Sequence, residues 1–164
     1  MSKFNLILPV NLFIVGAPGS GKSHLVSYLL SYFTNNKTKA NKFEYGLLFT
    51  KTKFNGAYEG IIPKQWTYTS FSETAIRNLM KHQAKIRTQG YKPPNAFILF
   101  DDFLKGTQMR KQIITDLYAN YRHFNISIIY ACQRLASVIS TAQRDFTSYA
   151  FIFRSKSTIA LNTI

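Results

Sequence analysis

Acidic side chains are scarce in this sequence: seven Asp and Glu stand against 21 Lys and Arg in 164 residues, a formal net charge of +14. A balance that positive points to a polyanionic partner, nucleic acid first and an acidic membrane surface second. Cysteine is nearly absent. Cys132 stands alone, which excludes an intrachain disulfide and fits a reducing, intracellular setting. No apolar run approaches the roughly 18 to 20 residues that a membrane span needs. The N-terminal stretch Phe4 to Val15 is interrupted by Asn5, Pro9 and Asn11. It leads into a glycine-rich loop without a cleavage site, so it reads as strand and not as a targeting segment. The three histidines and Cys132 lack metal-ligand spacing, and no zinc is expected. Internal repeats and low-complexity tracts are also missing, and nothing marks a second domain.

What is present is apolar bulk: 46% hydrophobic residues, 15% aromatic, with 14 Phe and 10 Tyr. That is one domain's worth of core, residues 1–164 with the core at about 11–157. Strands and helices alternate, the mark of a mainly parallel α/β sheet. Strands are expected at Leu12–Gly16, Tyr45–Thr50, Ala96–Phe100, Ile126–Ala131 and Tyr149–Arg154, the fourth being central. A helix from Gly21 to Phe33 carries Leu25, Val26, Leu29, Leu30 and Phe33 on one stripe, and Asn35-Asn36 stops it. Ser70 to Glu73 has capping-box spacing and opens a helix to about Thr88, which Gly90 ends. Ile113, Ile114, Leu117, Tyr118 and Tyr121 share the face of a further helix. Residues 51–69 read as irregular.

Gly16-Ala17-Pro18-Gly19-Ser20-Gly21-Lys22-Ser23 fits G-x-x-x-x-G-K-[ST] in full. Glycines let successive N–H groups turn inward around phosphate oxygens, and the helix starting near Gly21 aims its positive dipole end at them. Lys22 is expected to reach the β and γ phosphates, and the Ser23 hydroxyl to ligate Mg²⁺. His24 completes the set of nucleotide-contacting candidates. Phe97 to Asp102 is an apolar strand ending in two carboxylates, which is what Mg²⁺ needs opposite a phosphate loop. Asp101 is assigned to the metal's outer shell; Asp102 is assigned to orient or deprotonate the attacking water. Ile126 to Cys132 followed by Gln133 supplies a third element, with Gln133 as candidate sensor of the γ-phosphate or the water.

The order of these three motifs resembles the FtsK–HerA superfamily of DNA-translocating ATPases. Asn125 to Arg134, with Arg122-His123 upstream, is similar to the strand and Gln-Arg motif of FtsK-type pumps, and 138–157 to the helix and strand that follow there. Lys51 to Gly56, Ile62-Pro63-Lys64 and Asp101-Asp102 look more like the viral branch, the poxvirus-type genome-packaging ATPases. The resemblance covers roughly residues 11–157. It implies a P-loop NTPase sheet of the RecA/FtsK-like, additional-strand type with helices on both faces, ATP and Mg²⁺ as cofactors, and Asp102 in the place of the catalytic acid. It also implies a homo-oligomeric ring, usually a hexamer, with an arginine finger entering the neighbour's site; Arg122 and Arg144 are the candidates, unranked. The implied partner is DNA bound through its phosphates, and the implied setting is host cytoplasm or virion. Many members continue beyond the fifth strand, so a DNA-recognition appendage is expected to be missing, as a truncation or an unusually small enzyme.

A DNA helicase or helicase loader shares this core and stays open as an alternative. A small-molecule kinase would want an Arg-rich lid, and 51–69 carries Lys but no Arg. A GTPase needs Asn-Lys-x-Asp, and both Asn36-Lys37 and Asn41-Lys42 lack the Asp; ATP is inferred from the absence of that guanine motif. Arg77, Lys81 and Lys85 recur every four residues, where like charges repel by a few tenths of a kcal/mol, so a phosphate partner would relieve them. Lys37, Lys39 and Lys42 form a second basic cluster.

Overall fold

The computed structural model of the chain describes residues 6–35, 41–52, 56–104, 106–133 and 141–153. Lys37, Lys39, residues 53–55, Arg134 and the strand end expected at Arg154 lie outside them.

Continuous apolar runs in a chain of alternating strands and helices demand cover on both sides of the sheet. The six strands are β1 (Asn11–Val15), β2 (Tyr45–Thr50), β3 (Thr67–Tyr68), β4 (Ala96–Asp101), β5 (Ile126–Cys132) and β6 (Tyr149–Ile152). They form one sheet in the order β3-β2-β4-β5-β1-β6, parallel throughout. β1, β4 and β5 are buried at every position. The helices are α1 (Lys22–Thr34), α2 (Glu73–Thr88), α3 (Gly106–Met109), α4 (Gln112–Asn120) and α5 (Thr141–Asp145).

Side chains alternate between the faces of a strand, and the core divides accordingly. Leu12, Ile14, Leu48, Leu99, Ile129 and Ala131 meet Val26, Leu29, Leu30 and Phe33 of α1. Phe13, Val15, Ile98, Phe100, Ile128 and Tyr130 meet Ile76 and Leu79 of α2 and Ile113, Ile114 and Leu117 of α4. Helices therefore cover both faces, as expected.

Two local expectations need correcting. The cap of α2 is Ser72, whose hydroxyl accepts from the Ala75 N–H at 3.2 Å. Ser70 lies outside the helix, and Glu73 reaches forward to Arg77 at 3.0 Å and to Lys111 at 3.6 Å instead of back to a capping N–H. Residues 51–69 are not wholly irregular: 3-10 turns at Gly56–Tyr58 and Lys64–Trp66 lead to β3, which pairs Thr67 with Leu48 and Tyr68 with Phe49.

Gly46 faces Phe97 across the β2–β4 ladder, and a Cβ there would stand 2.5 Å from three atoms of the Phe97 ring. That ring is also packed on Phe43, 5.1 Å between centroids, and is buried. Gly46→Ala should therefore destabilise the fold by about 1–3 kcal/mol, the usual cost of overpacking. Urea unfolding should show it as a lower midpoint at unchanged slope.

Candidate functional site

The parallel sheet brings the carboxyl ends of β1, β4 and β5 together, the crevice where open α/β sheets bind ligands. β1 ends at Val15 and the glycine loop turns directly into α1. Gly19 and Gly21 sit at φ +73° and +96°, the left-handed region that glycine enters without strain. Gly16 is required for another reason. A Cβ there would lie 2.5 Å from Ser20 Oγ and 2.7 Å from Phe153 Cβ, so the loop closes only around a bare backbone.

Lys22 is buried, and its ammonium donates to the carbonyls of Gly16 at 2.8 Å and Ala17 at 3.1 Å. A buried ammonium must be satisfied, and here the loop itself does it. Ser20 Oγ is enclosed in the same loop without a hydrogen-bond partner. His24 is exposed in the first turn of α1, and Ala17 and Pro18 are exposed in the loop.

Across from the loop, Asp101 is the last residue of β4, in register with Ala131 of β5 and Thr50 of β2. Burial pushes its carboxyl above the usual range and the nearby Asp102 adds to this, while the Tyr58 hydrogen bond and the Lys22 charge oppose it. Asp102 turns out of the strand. Its φ of +46° lies in the left-handed region, which Asp tolerates better than most residues. Its N–H donates to Ala131 O at 2.9 Å. The exposed carboxylate accepts from Gln133 Nε2 at 3.2 Å, so the candidate acid and the candidate sensor are in direct contact.

Tyr58 is the residue that sequence reasoning missed. Its hydroxyl donates to Asp101 Oδ2 at 2.8 Å. Burial, followed by the Asp101 charge, pushes the phenol well above its ordinary value. It stands in the 3-10 turn at Gly56–Tyr58, tied to α1 by the Ser27 hydroxyl donating to Ala57 O. Nothing periodic in 51–69 marks it.

Arg122 and Arg144 are not brought to this site. Arg122 precedes β5 and Arg144 precedes β6, so both lie at the amino ends of strands whose carboxyl ends carry the loop. Arg122 is exposed, donating from Nε to the Tyr121 hydroxyl at 2.9 Å; that hydroxyl is 3.0 Å from Ser148 Oγ. Arg77, Lys81 and Lys85 are exposed along α2, with Arg77 engaged by Glu73.

The donor set suits a polyphosphate held with Mg²⁺. A sequestered ammonium and an orphaned hydroxyl lie in the loop, and Ser23 and Asp101 offer hard oxygen donors. Among the described residues no three of His, Cys, Asp and Glu form a metal cage. Mg²⁺ characteristically takes one or two protein oxygens together with substrate phosphates.

A glycine loop between β1 and α1, with β5 inserted between the loop strand and the aspartate strand, defines a P-loop NTPase fold of the additional-strand type. The chain belongs to the Poxvirus A32 protein family, which it matches over residues 3–162. This is the viral branch to which Lys51 to Gly56, Ile62-Pro63-Lys64 and Asp101-Asp102 pointed. Uncharacterized protein 015R of Frog virus 3 (isolate Goorha) is 27% identical over 146 residues, 87% of this chain and 43% of that protein. Uncharacterized protein 075L of Invertebrate iridescent virus 6 is 27% identical over 153 residues, 92% of this chain and 57% of that protein. The chain thus spans about half the length of these curated relatives. Among solved structures, the genome packaging NTPase B204 from Sulfolobus turreted icosahedral virus 2, in complex with ATP-gammaS, has a TM-score of 0.61 at 16% identity. The match covers 94% of this chain and 79% of that one and speaks to the fold. No helix among the described residues is long and apolar enough to cross a membrane.

Proposed function

We propose that this chain is an ATP-hydrolysing domain that drives DNA movement, of the kind that packages viral genomes. The observation that carries the reading is the convergence of Lys22, Ser23, Asp101, Asp102 and Gln133 at the carboxyl ends of three adjacent strands. The N–H groups of Gly16 to Ser23 would hold the phosphates of ATP, with His24 at the margin. Lys22 would exchange its two loop carbonyls for β- and γ-phosphate oxygens. Mg²⁺, held by Ser23 and Asp101, would supply neutralising charge on those oxygens. Asp102 would accept the proton of an attacking water, and Gln133, the candidate sensor, would steady that carboxylate through its hydrogen bond. The packaging NTPase with the same fold was solved with an ATP analogue, which supports the choice of nucleotide.

DNA as the partner rests on the +14 charge and on the family. Arg122 and Arg144 precede β5 and β6 and so lie toward the opposite end of the sheet from their own loop. A finger drawn from either would serve a neighbouring copy, which supports a ring. Charge of one sign opposes assembly of such a ring, and a polyanion relieves it. Hydrolysis of ATP should therefore rise strongly with long duplex DNA and fall steeply with added salt, with little dependence on sequence. Phosphorylation of a nucleoside without any response to DNA would replace the motor with a kinase.

A further inference from the structure

We infer that Tyr58 is a positioning residue for the cation site, through the hydrogen bond it donates to Asp101. The inference rests on the nucleotide reading given above. A carboxylate is held in a fixed orientation toward a cation when one of its oxygens already accepts a hydrogen bond. Here the Tyr58 hydroxyl donates to Asp101 Oδ2 at 2.8 Å. The candidate carboxylate ligand is thereby oriented by a side chain outside the phosphate loop. Oδ2 of Asp101 is taken, leaving Oδ1 for the metal or its water.

The phenol is well placed to hold that geometry. Tyr58 is only 3% exposed, so water competes poorly for its hydroxyl. Its turn is fastened to α1, the helix that carries Ser23, through the bond from Ser27 to Ala57. Partners of this kind, one bond removed from a metal, fix ligand orientation, and their loss commonly costs about 10–100-fold in metal affinity. This bond does not involve Lys22, whose ammonium is held by Gly16 O and Ala17 O, so it separates cation binding from phosphate binding.

The test is Tyr58→Phe, which keeps the ring and removes the hydroxyl. A fluorescent ATP analogue would be titrated in EDTA and then across a range of Mg²⁺ concentrations. In EDTA the variant should bind within about twofold of wild type, which also certifies its fold. The Mg²⁺ concentration that gives half of the metal-dependent gain in affinity should rise about 10-fold or more. Hydrolysis at saturating Mg²⁺ should then recover most of the wild-type kcat. A wild-type Mg²⁺ midpoint in Tyr58→Phe overturns the inference, and so does an equal loss of binding in EDTA, which would make the residue a packing element only. If wild type itself bound the analogue with no response to Mg²⁺, the nucleotide reading would fail and take this inference with it.

Discussion

Lys22→Ala is expected to lower nucleotide affinity by about 10²–10⁴-fold and to remove turnover with it. Hydrogen bonds from a charged donor contribute about 1.5–3 kcal/mol each, and each 1.4 kcal/mol is about tenfold in binding. The ammonium makes two such bonds, to Gly16 O and Ala17 O, and in the proposed complex phosphate oxygens replace them. Its removal would leave phosphate charge facing Asp101 and Asp102 with only the loop dipoles and the Mg²⁺ to balance it. The fold should survive, because Asp101 loses the nearby ammonium but keeps its hydrogen bond from Tyr58; calorimetry of the nucleotide-free variant checks this. The same variant tests whether sites are shared between copies. Mixed with Arg122→Ala or Arg144→Ala, whichever is the finger, it should recover part of the activity, because a Lys22→Ala copy still supplies an intact arginine to its neighbour's intact loop. Wild-type hydrolysis by Lys22→Ala alone would sink the phosphate-loop assignment.

The parts of this site that were legible in the sequence are those written locally. The glycine spacing of Gly16 to Gly21 specifies a loop because backbone freedom is a property of single residues, and Gly19 and Gly21 do use left-handed φ. Asp101 could be placed because an unbroken apolar strand has to end where its first carboxylate appears. Long-range pairings leave no such mark. The bond from Tyr58 to Asp101 spans 43 positions, and a tyrosine between two glycines reads as ordinary loop. β3 was missed because two residues cannot display a period. The cap shifted from Ser70 to Ser72 because both serines precede the same helix, and only the backbone's approach decides which hydroxyl meets the Ala75 N–H. Arg122 and Arg144 could be picked as candidates, but their position at the far end of the sheet follows from strand direction alone.

Asp102→Asn should leave ATP and Mg²⁺ bound while hydrolysis falls by about 10²–10⁴-fold, the usual contribution of a general base. The substitution is nearly isosteric, and asparagine tolerates the left-handed backbone as well as aspartate does. The amide oxygen can still accept from Gln133 Nε2, which now stands 3.2 Å from Asp102 Oδ2. Geometry is thus conserved, and what is lost is the capacity to take a proton from water. Asp101→Asn changes a different function. Asp101 is buried, bonded to Tyr58 and close enough to Lys22 for the ammonium to favour its ionised form. An amide there removes the negative oxygen offered to the cation, so Mg²⁺ dependence and nucleotide affinity should weaken first. Single-turnover hydrolysis measured beside equilibrium binding separates the two. Equal losses of binding and turnover in both variants would show that Asp101 and Asp102 act as one unit, and the division of labour between metal and water would have to be abandoned.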